Sequence, residues 1–389
     1  MHLLDASMLW GSAGGIRRVL QAKQHWLPSF GWRHTLLAPG ARSDGAVDIA
    51  SLPLPGSGGY RVVWRRGAAV KALERLQPDV IEVADPYTMA WAGLDAARRL
   101  QVPVVAYCHS HLPTLAALLA GGNGHTLSRW AERAARAYLQ RLYGHFDHVL
   151  APSRWVAEDL RAHGLAHVEY QPLGVDRTQF APVRRDMRWR ERWLRGHGLD
   201  ARSHLLLYVG RFAPEKNLDL LARAVGLLGP GHVLVALGSG PRPPRGDQVL
   251  VLPAEKRPAK LARIMASSDV FVHAGDRETF GLAALEAMAC GTPLVTSARC
   301  GLGELVRGVG LTVGSAQPRV WAEAIVEQIH CPSDAARKAG LQRARAHDWP
   351  RLIGPWLERY RAQVEARRGH RPAPPARAPV ERPTAAALP

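Results

Sequence analysis

Short apolar segments recur along this chain with a helical stretch between each pair. In the first half they are Leu3 to Ser7, His34 to Ala38, Asp79 to Val83, Pro103 to Tyr107 and His148 to Ala151. In the second half they are His204 to Gly210, Val233 to Gly238, Asp269 to His273 and Pro293 to Thr296. Strands separated by helices are joined by crossovers, so they lie parallel in a sheet covered by helices on both faces. Ligands of such sheets sit beyond the carboxyl ends of the strands. A chain of 389 residues is long enough for two such units.

Composition narrows the function classes. No segment reaches the ~18 to 20 apolar residues that span a bilayer. The start, Met1-His-Leu-Leu-Asp5, has neither a basic region nor a long apolar one, so no secretory signal is read and a cytoplasmic location is expected. Cys108, Cys290, Cys300 and Cys331 contain no Cys-x-x-Cys pair and argue neither a disulfide framework nor a zinc site. The formal charge of +18 admits an acidic partner, but all but six of the 51 basic residues are Arg, and a genome rich in arginine codons gives the same skew.

The stretch Glu278-Thr-Phe-Gly-Leu-Ala-Ala-Leu-Glu286-Ala-Met-Ala-Cys-Gly-Thr-Pro293 reads as a turn entering a helix with almost no polar face. The helical neighbours of Glu286 are Leu282, Ala283, Ala289 and Cys290, and a lone carboxylate buried among them costs several kcal/mol unless hydrogen bonds or a cation compensate it. Something must meet Glu286. Gly281 leaves the amides of Phe280, Gly281 and Leu282 at the helix start, where unpaired N–H groups and the macrodipole favour a phosphate. An anion site flanked by two acids suits a nucleotide-sugar diphosphate; an ordinary packed helix with an internal ion pair is the alternative.

Other groups fall at strand ends. Gly11-Ser-Ala-Gly14-Gly15 follows the first strand and opens a helix, the geometry that lets backbone approach a phosphate, or a plain tight turn. Asp85 follows the third strand, and His109 and His111 the fourth. Arg211 and Lys216, five residues apart after a buried strand, can converge on a diphosphate. Arg129, Arg133, Arg136 and Gln140 share one face of a helix from Thr126 to Phe146, either a solvated face or a patch for anionic lipid head groups. A further basic run, Arg184 to Arg195, interleaves arginines with Trp189 and Trp193, as a nucleic-acid surface does, or as a surface helix with its tryptophans packed down does. No Asp-x-Asp occurs, so a metal-bridged diphosphate is not expected.

The Glu-x7-Glu context E-T-F-G-L-x-x-x-E-A-M-A-C-G-T-P-L-V resembles the signature of retaining GT-B glycosyltransferases, the family-four group that includes bacterial mannosyltransferases. Gly-Arg211-x-x-x-Glu-Lys216 and Pro172-Leu-Gly174-Val-Asp176-x-x-x-Phe180 are similar to further family elements, the second with Leu173 where the family has Asn. The resemblance implies two Rossmann-like parallel α/β domains facing across a cleft. They are an acceptor domain at 1–180 and a nucleotide-sugar domain at 181–348, followed by a helix at 349–366 that crosses back to the first and a Pro/Arg-rich disordered tail at 367–389. It places Glu278 and His109 on the transferred hexose, Glu286 on a ribose hydroxyl, and Arg211, Lys216, Phe280, Gly281 and Leu282 on the phosphates. Gly14 and Gly15 go against the diphosphate and acceptor, although Arg17 stands where the family commonly has an acid. The loop Leu52 to Arg61 is a mere connection or the acceptor loop. The expected enzyme moves a hexose from GDP-mannose or a UDP-hexose to a lipid-linked or saccharide acceptor, without metal or other cofactor and without nucleic acid, at an anionic membrane surface. An epimerase of the same fold, or a basic nucleic-acid-binding protein, is the alternative.

Overall fold

The computed structural model describes residues 1–10, 14–54, 60–121 and 126–369. Residues 55–59 of the loop read as an acceptor loop, Gly11 to Ala13 of the glycine turn and residues 370–389 of the tail lie outside them.

Two parallel sheets form. The first runs Ala46–Val47, Arg33–Leu37, His2–Ala6, Val80–Val83, Val104–Tyr107, His148–Ala151 and Val168–Tyr170 in space. The second runs Val249–Leu252, His232–Ser239, His204–Arg211, Val270–His273, Leu294–Ser297 and Leu311–Val313. Leu3, Leu4, Leu206, Leu207, Phe271 and Val295 are almost fully buried, as strands covered on both faces require. In each sheet the strand order reverses beside the first strand, between His2–Ala6 and Val80–Val83 and between His204–Arg211 and Val270–His273. Such reversals open a crevice at the carboxyl ends of the strands.

Two helices bear on the site. Gly15–Trp26 buries Val19, Leu20 and Lys23 on one face and presents its N-terminus to the cleft. Leu282–Ala289 buries every residue from Ala284 to Ala289, so Glu286 is held among apolar neighbours.

The closing helix, Trp349–Gly369, lies against the first sheet: Tyr360 Oη donates to Glu82, and Arg359 lies 3.4 Å from Glu169. Where the sequence predicts its end at 366, the helix runs on to Gly369, because Arg367 and Arg368 each pair at 2.5 Å, with Asp147 and Asp79. In the basic run, the helix Met187–Gly196 stacks Trp189 on Trp193 at 5.8 Å and packs both half-buried against the core. Arg190, which the surface-helix reading passed over, is buried and sits 2.5 Å from Asp269.

Candidate functional site

A pocket of about 140 Å³ lies between the two units, with His109, His111, Arg211, Lys216, Arg277 and Glu278 among its lining. His109 and His111 follow the strand Val104–Tyr107 of the first sheet. From the second sheet, Arg211 ends the strand His204–Arg211, Lys216 closes the short turn Pro214–Lys216, and Glu278 follows Val270–His273. The carboxyl ends of both sheets therefore deliver polar side chains to one space.

Glu278 is largely buried and accepts from Lys216 Nζ, while His273 Nε2 lies 3.2 Å from the same oxygen. The amide of Gly275 donates to His273 Nδ1 at 3.1 Å. With Nδ1 accepting, the proton of a neutral ring is on Nε2, aimed at Glu278. Burial alone pushes the Glu278 carboxyl up, but the charge of Lys216 and the bond from His273 outweigh it and hold the group well below the usual carboxylate range. Glu278 is thus a carboxylate that accepts hydrogen bonds rather than an acid that gives a proton. Arg211 is paired at 2.5 Å with Glu215 and keeps an exposed guanidinium at the pocket mouth.

The cation that meets Glu286 is Arg18, from the first turn of Gly15–Trp26 in the other half of the chain. Glu286 Oε1 takes this bond; Oε2 is buried with no partner among the described residues. Burial pushes this carboxyl up, and Arg18, 37% exposed, offsets only part of the effect. A buried acceptor lone pair beside a half-exposed cation is where an incoming hydroxyl gains most.

Close approach fixes the glycines. Gly281 caps the helix at φ +106°, and a Cβ there falls 2.7 Å from Leu302 Cδ1, so the turn that aims the amides of Phe280, Gly281 and Leu282 requires glycine. Gly14 is the N-cap of the first helix, and a Cβ on Gly15 falls 3.1 Å from Leu282 Cδ1. The glycine turn of one unit thus leans on the helix start of the other. Phe280 is buried, its ring 5.8 Å from His347.

His109 is buried and stacks on Tyr107 at 4.2 Å; burial first, then the charge of Lys23, pull its imidazole down to about 3, so it is neutral at physiological pH. Its carbonyl accepts from Thr279 Oγ1 at 2.9 Å, tying the two units beside the pocket. His111 is committed elsewhere, with Nδ1 2.5 Å from Thr114 Oγ1 and Nε2 2.9 Å from Asp159. Asp85 accepts from the Met8 amide at 2.6 Å, and burial raises its carboxyl to about 6.

Four residues here were not singled out in the sequence: Arg18, His273, Thr279 and Glu304, whose carboxylate accepts from the amides of Arg154 and Trp155 at 3.1 and 3.0 Å across the units. The apolar setting of Glu286 demanded a partner, which was the available signal for Arg18; the others make contacts between segments with no shared local pattern. Among the described residues no cluster of three or more His, Cys, Asp or Glu could hold a metal ion.

Residues 13–179 match the family described as Glycosyltransferase Family 4, and residues 190–345 match Glycosyl transferases group 1. A GDP-mannose-dependent alpha-mannosyltransferase of Mycobacterium tuberculosis is 34% identical over 313 residues, 78% of this chain and 76% of the relative. A GDP-mannose-dependent alpha-(1-6)-phosphatidylinositol dimannoside mannosyltransferase of the same species is 31% identical over 92% of this chain and 95% of its own length. Among solved structures, sucrose-phosphate synthase from Thermosynechococcus elongatus superposes with a TM-score of 0.73 at 22% identity, covering 94% of this chain and 100% of that one. Anabaena HepE in complex with UDP-glucose gives 0.71 at 17% identity, covering 93% and 100%. The two parallel sheets of this chain are therefore those of the GT-B fold.

Proposed function

This chain belongs to glycosyltransferase family 4 and is a hexosyltransferase, and from that premise we propose that it moves mannose from GDP-mannose, with retention of configuration, to a hydroxyl of a lipid-linked acceptor. Mannose and GDP are favoured by the two mannosyltransferase relatives, and the lipid by the phosphatidylinositol dimannoside acceptor that one of them names. The observation that carries the reading is the pocket in which His109 of one unit faces Arg211, Lys216 and Glu278 of the other.

Residues 1–180 form the acceptor unit and 181–348 the donor unit in this proposal. The nucleotide lies over the helix start at Phe280 to Leu282 with its diphosphate between those amides, Gly14, Gly15, Arg211 and Lys216. Glu286 Oε2 accepts from a ribose hydroxyl and Glu278 from hydroxyls of the hexose. As the bond from the anomeric carbon to phosphate breaks, charge grows on the departing oxygen and the two cations stabilise it without a metal. That oxygen takes the proton of the acceptor hydroxyl as the acceptor attacks the same face, so the new glycosidic bond keeps the configuration. Neutral His109 contacts the sugar by hydrogen bonding and carries no charge that would compete for the phosphates.

The test is calorimetric binding and hydrolysis across GDP-mannose, UDP-glucose, UDP-galactose and ADP-glucose, with a chelator arm. Preference for GDP-mannose that survives the chelator is the expected result. Preference for a UDP-hexose overturns the donor assignment, and activity restored only by manganese overturns the metal-free mechanism.

A further inference from the structure

Asp5 and Glu82, on the two central strands of the first sheet, are both paired with Lys23. Asp85, two residues past the end of Val80–Val83, is different: it is 3% exposed and no Lys, Arg or His lies within salt-bridge distance among the described residues. Its Oδ2 accepts from the Met8 amide at 2.6 Å, and the Tyr87 amide and Ser7 hydroxyl bear on the group as well. Oδ1 is buried and makes no hydrogen bond among the described residues. A buried carboxylate oxygen with neither donor nor cation carries a cost that nothing in the fold offsets, and a donor arriving from outside would remove it.

The place of Asp85 is the crevice of the first sheet. Val80–Val83 lies between His2–Ala6 and Val104–Tyr107, with Val83 beside both Ala6 and Ala106. Two residues further on, Asp85 therefore stands between Met8 and Cys108, on strands spaced about 4.8 Å apart. One flank is the chain that runs into the first helix; the other is His109, which lines the pocket with Lys216 and Glu278. The turn that carries Asp85 is braced, Tyr138 Oη donating to the Pro86 carbonyl at 2.7 Å and Trp91 Nε1 to Tyr138 Oη at 3.1 Å. Tyr87 follows, half-buried, and Asp85, Tyr60 and Tyr138 all lie near enough to act on its phenol.

We propose that Asp85 is the residue that reads the acceptor, its Oδ1 accepting from a hydroxyl of a sugar ring that lies against Tyr87. A carboxylate without a cation repels a phosphate and takes an uncharged donor, while a tyrosine offers an apolar face to the C–H groups of a sugar and a polar rim to its hydroxyls. A lone lipid alcohol meets only the first of these groups. The proposal rests on the transferase reading and adds to it the class of acceptor and the side chain that selects it.

Acid gives the site a signature. Burial raises the Asp85 carboxyl to about 6. Of the groups around it, burial lifts Cys108 to about 12 and the phenols of Tyr87 and Tyr143 above their ordinary value; burial and the charge of Lys23 hold His109 at about 3. The phenols of Tyr60 and Tyr138 complete the set. An ionised carboxylate is the stronger acceptor, so affinity for the acceptor is present above about pH 6 and declines below it.

The full chain is assayed for transfer to octyl α-D-mannopyranoside, octyl β-D-glucopyranoside and octanol, from whichever sugar nucleotide the donor panel selects. Transfer to an octyl glycoside, and at least about tenfold less to octanol, is the expected result. Asp85→Asn should raise the KM for that glycoside roughly tenfold or more, while calorimetric affinity for the free nucleotide is kept. Its melting temperature should stay level or rise, because Asn can still accept from the Met8 amide and burial disfavours the charge it removes. A parental KM in Asp85→Asn overturns the proposal, as does a parent that takes octanol as readily as the glycosides or takes neither glycoside. Should the variant misfold, the parent's own pH series decides: a glycoside KM that climbs as pH falls through about 6 supports the assignment, and one that stays level from about pH 8 to 5 overturns it. A panel that selects a UDP-hexose sinks the GDP-mannose reading and leaves Asp85 standing, since no arm depends on the nucleotide.

Discussion

On the inner side of the first sheet, Lys23 Nζ lies 3.0 Å from Asp5 and 2.5 Å from Glu82, His34 reaches the second oxygen of Asp5 at 2.6 Å, and Tyr360 donates to the second oxygen of Glu82. Every carboxylate oxygen there has a partner, and Lys23 also sits over the Trp356 ring at 4.5 Å. In the cleft the same chemistry is left incomplete: Arg18 takes one oxygen of Glu286 and leaves the other buried and bare, while Lys216 and His273 share a single oxygen of Glu278. A buried cluster whose carboxylate oxygens are all paired, although His34 Nδ1 there has no partner among the described residues, fixes which elements pack together, here the first helix, the first sheet and the closing helix. An unsatisfied one keeps bonding capacity for something that arrives later. On the proposed function, the difference is that between ion pairs that hold the fold together and ion pairs that meet the donor.

Breaking the filled cluster should have the largest effect on the fold. Lys23→Met strands two buried carboxylates and should lower stability by about 3–5 kcal/mol in chemical denaturation. Nucleotide affinity of the folded protein should be retained; lost affinity at parental stability would dissolve the contrast.

Lys216→Ala should do the reverse. On the proposed mechanism it removes a cation that stabilises the growing leaving-group charge, so turnover should fall roughly 10²-fold or more, and further than donor binding does. Its effect on stability should be smaller than that of Lys23→Met, because Glu278 keeps His273. Initial rates beside calorimetric binding separate the two parameters.

Glu286→Gln sharpens the comparison further. A charge-assisted bond is worth about 1.5–3 kcal/mol and each 1.4 kcal/mol is a factor of ten, so donor binding should weaken by roughly tenfold or more. Because burial disfavours the charged carboxyl of Glu286, the melting temperature should stay level or rise. Normal nucleotide binding with a much lower melting temperature would place Glu286 with the structural pairs.

The smallest effect concerns acid. In the folded protein the charge of Lys23 and the bond from His34 overcome burial and hold Asp5 at about 2, below its ordinary 3.8. A depressed carboxyl contributes stability that is fully present above its unfolded value and is lost as pH falls through the folded one. Stability should therefore decline between about pH 4 and 2, and Asp5→Asn should flatten that limb of a denaturation series.

What the sequence determined by itself was local. Alternating apolar strands and helices were enough to specify two parallel sheets, and the context of Glu278 to Pro293 was enough to identify the family, because periodicity and turn chemistry act within a few residues of each other. The strands it missed, such as Ala46–Val47 and Leu311–Val313, are two or three residues at sheet edges, too short to carry a pattern. Only the tertiary structure decided that Arg18 answers Glu286 across 268 residues and that Arg136 is bound to Asp159. Those outcomes depend on how the two sheets and their helices close on one another. An ion pair is a matter of a few ångströms in space, and no spacing along the chain encodes it.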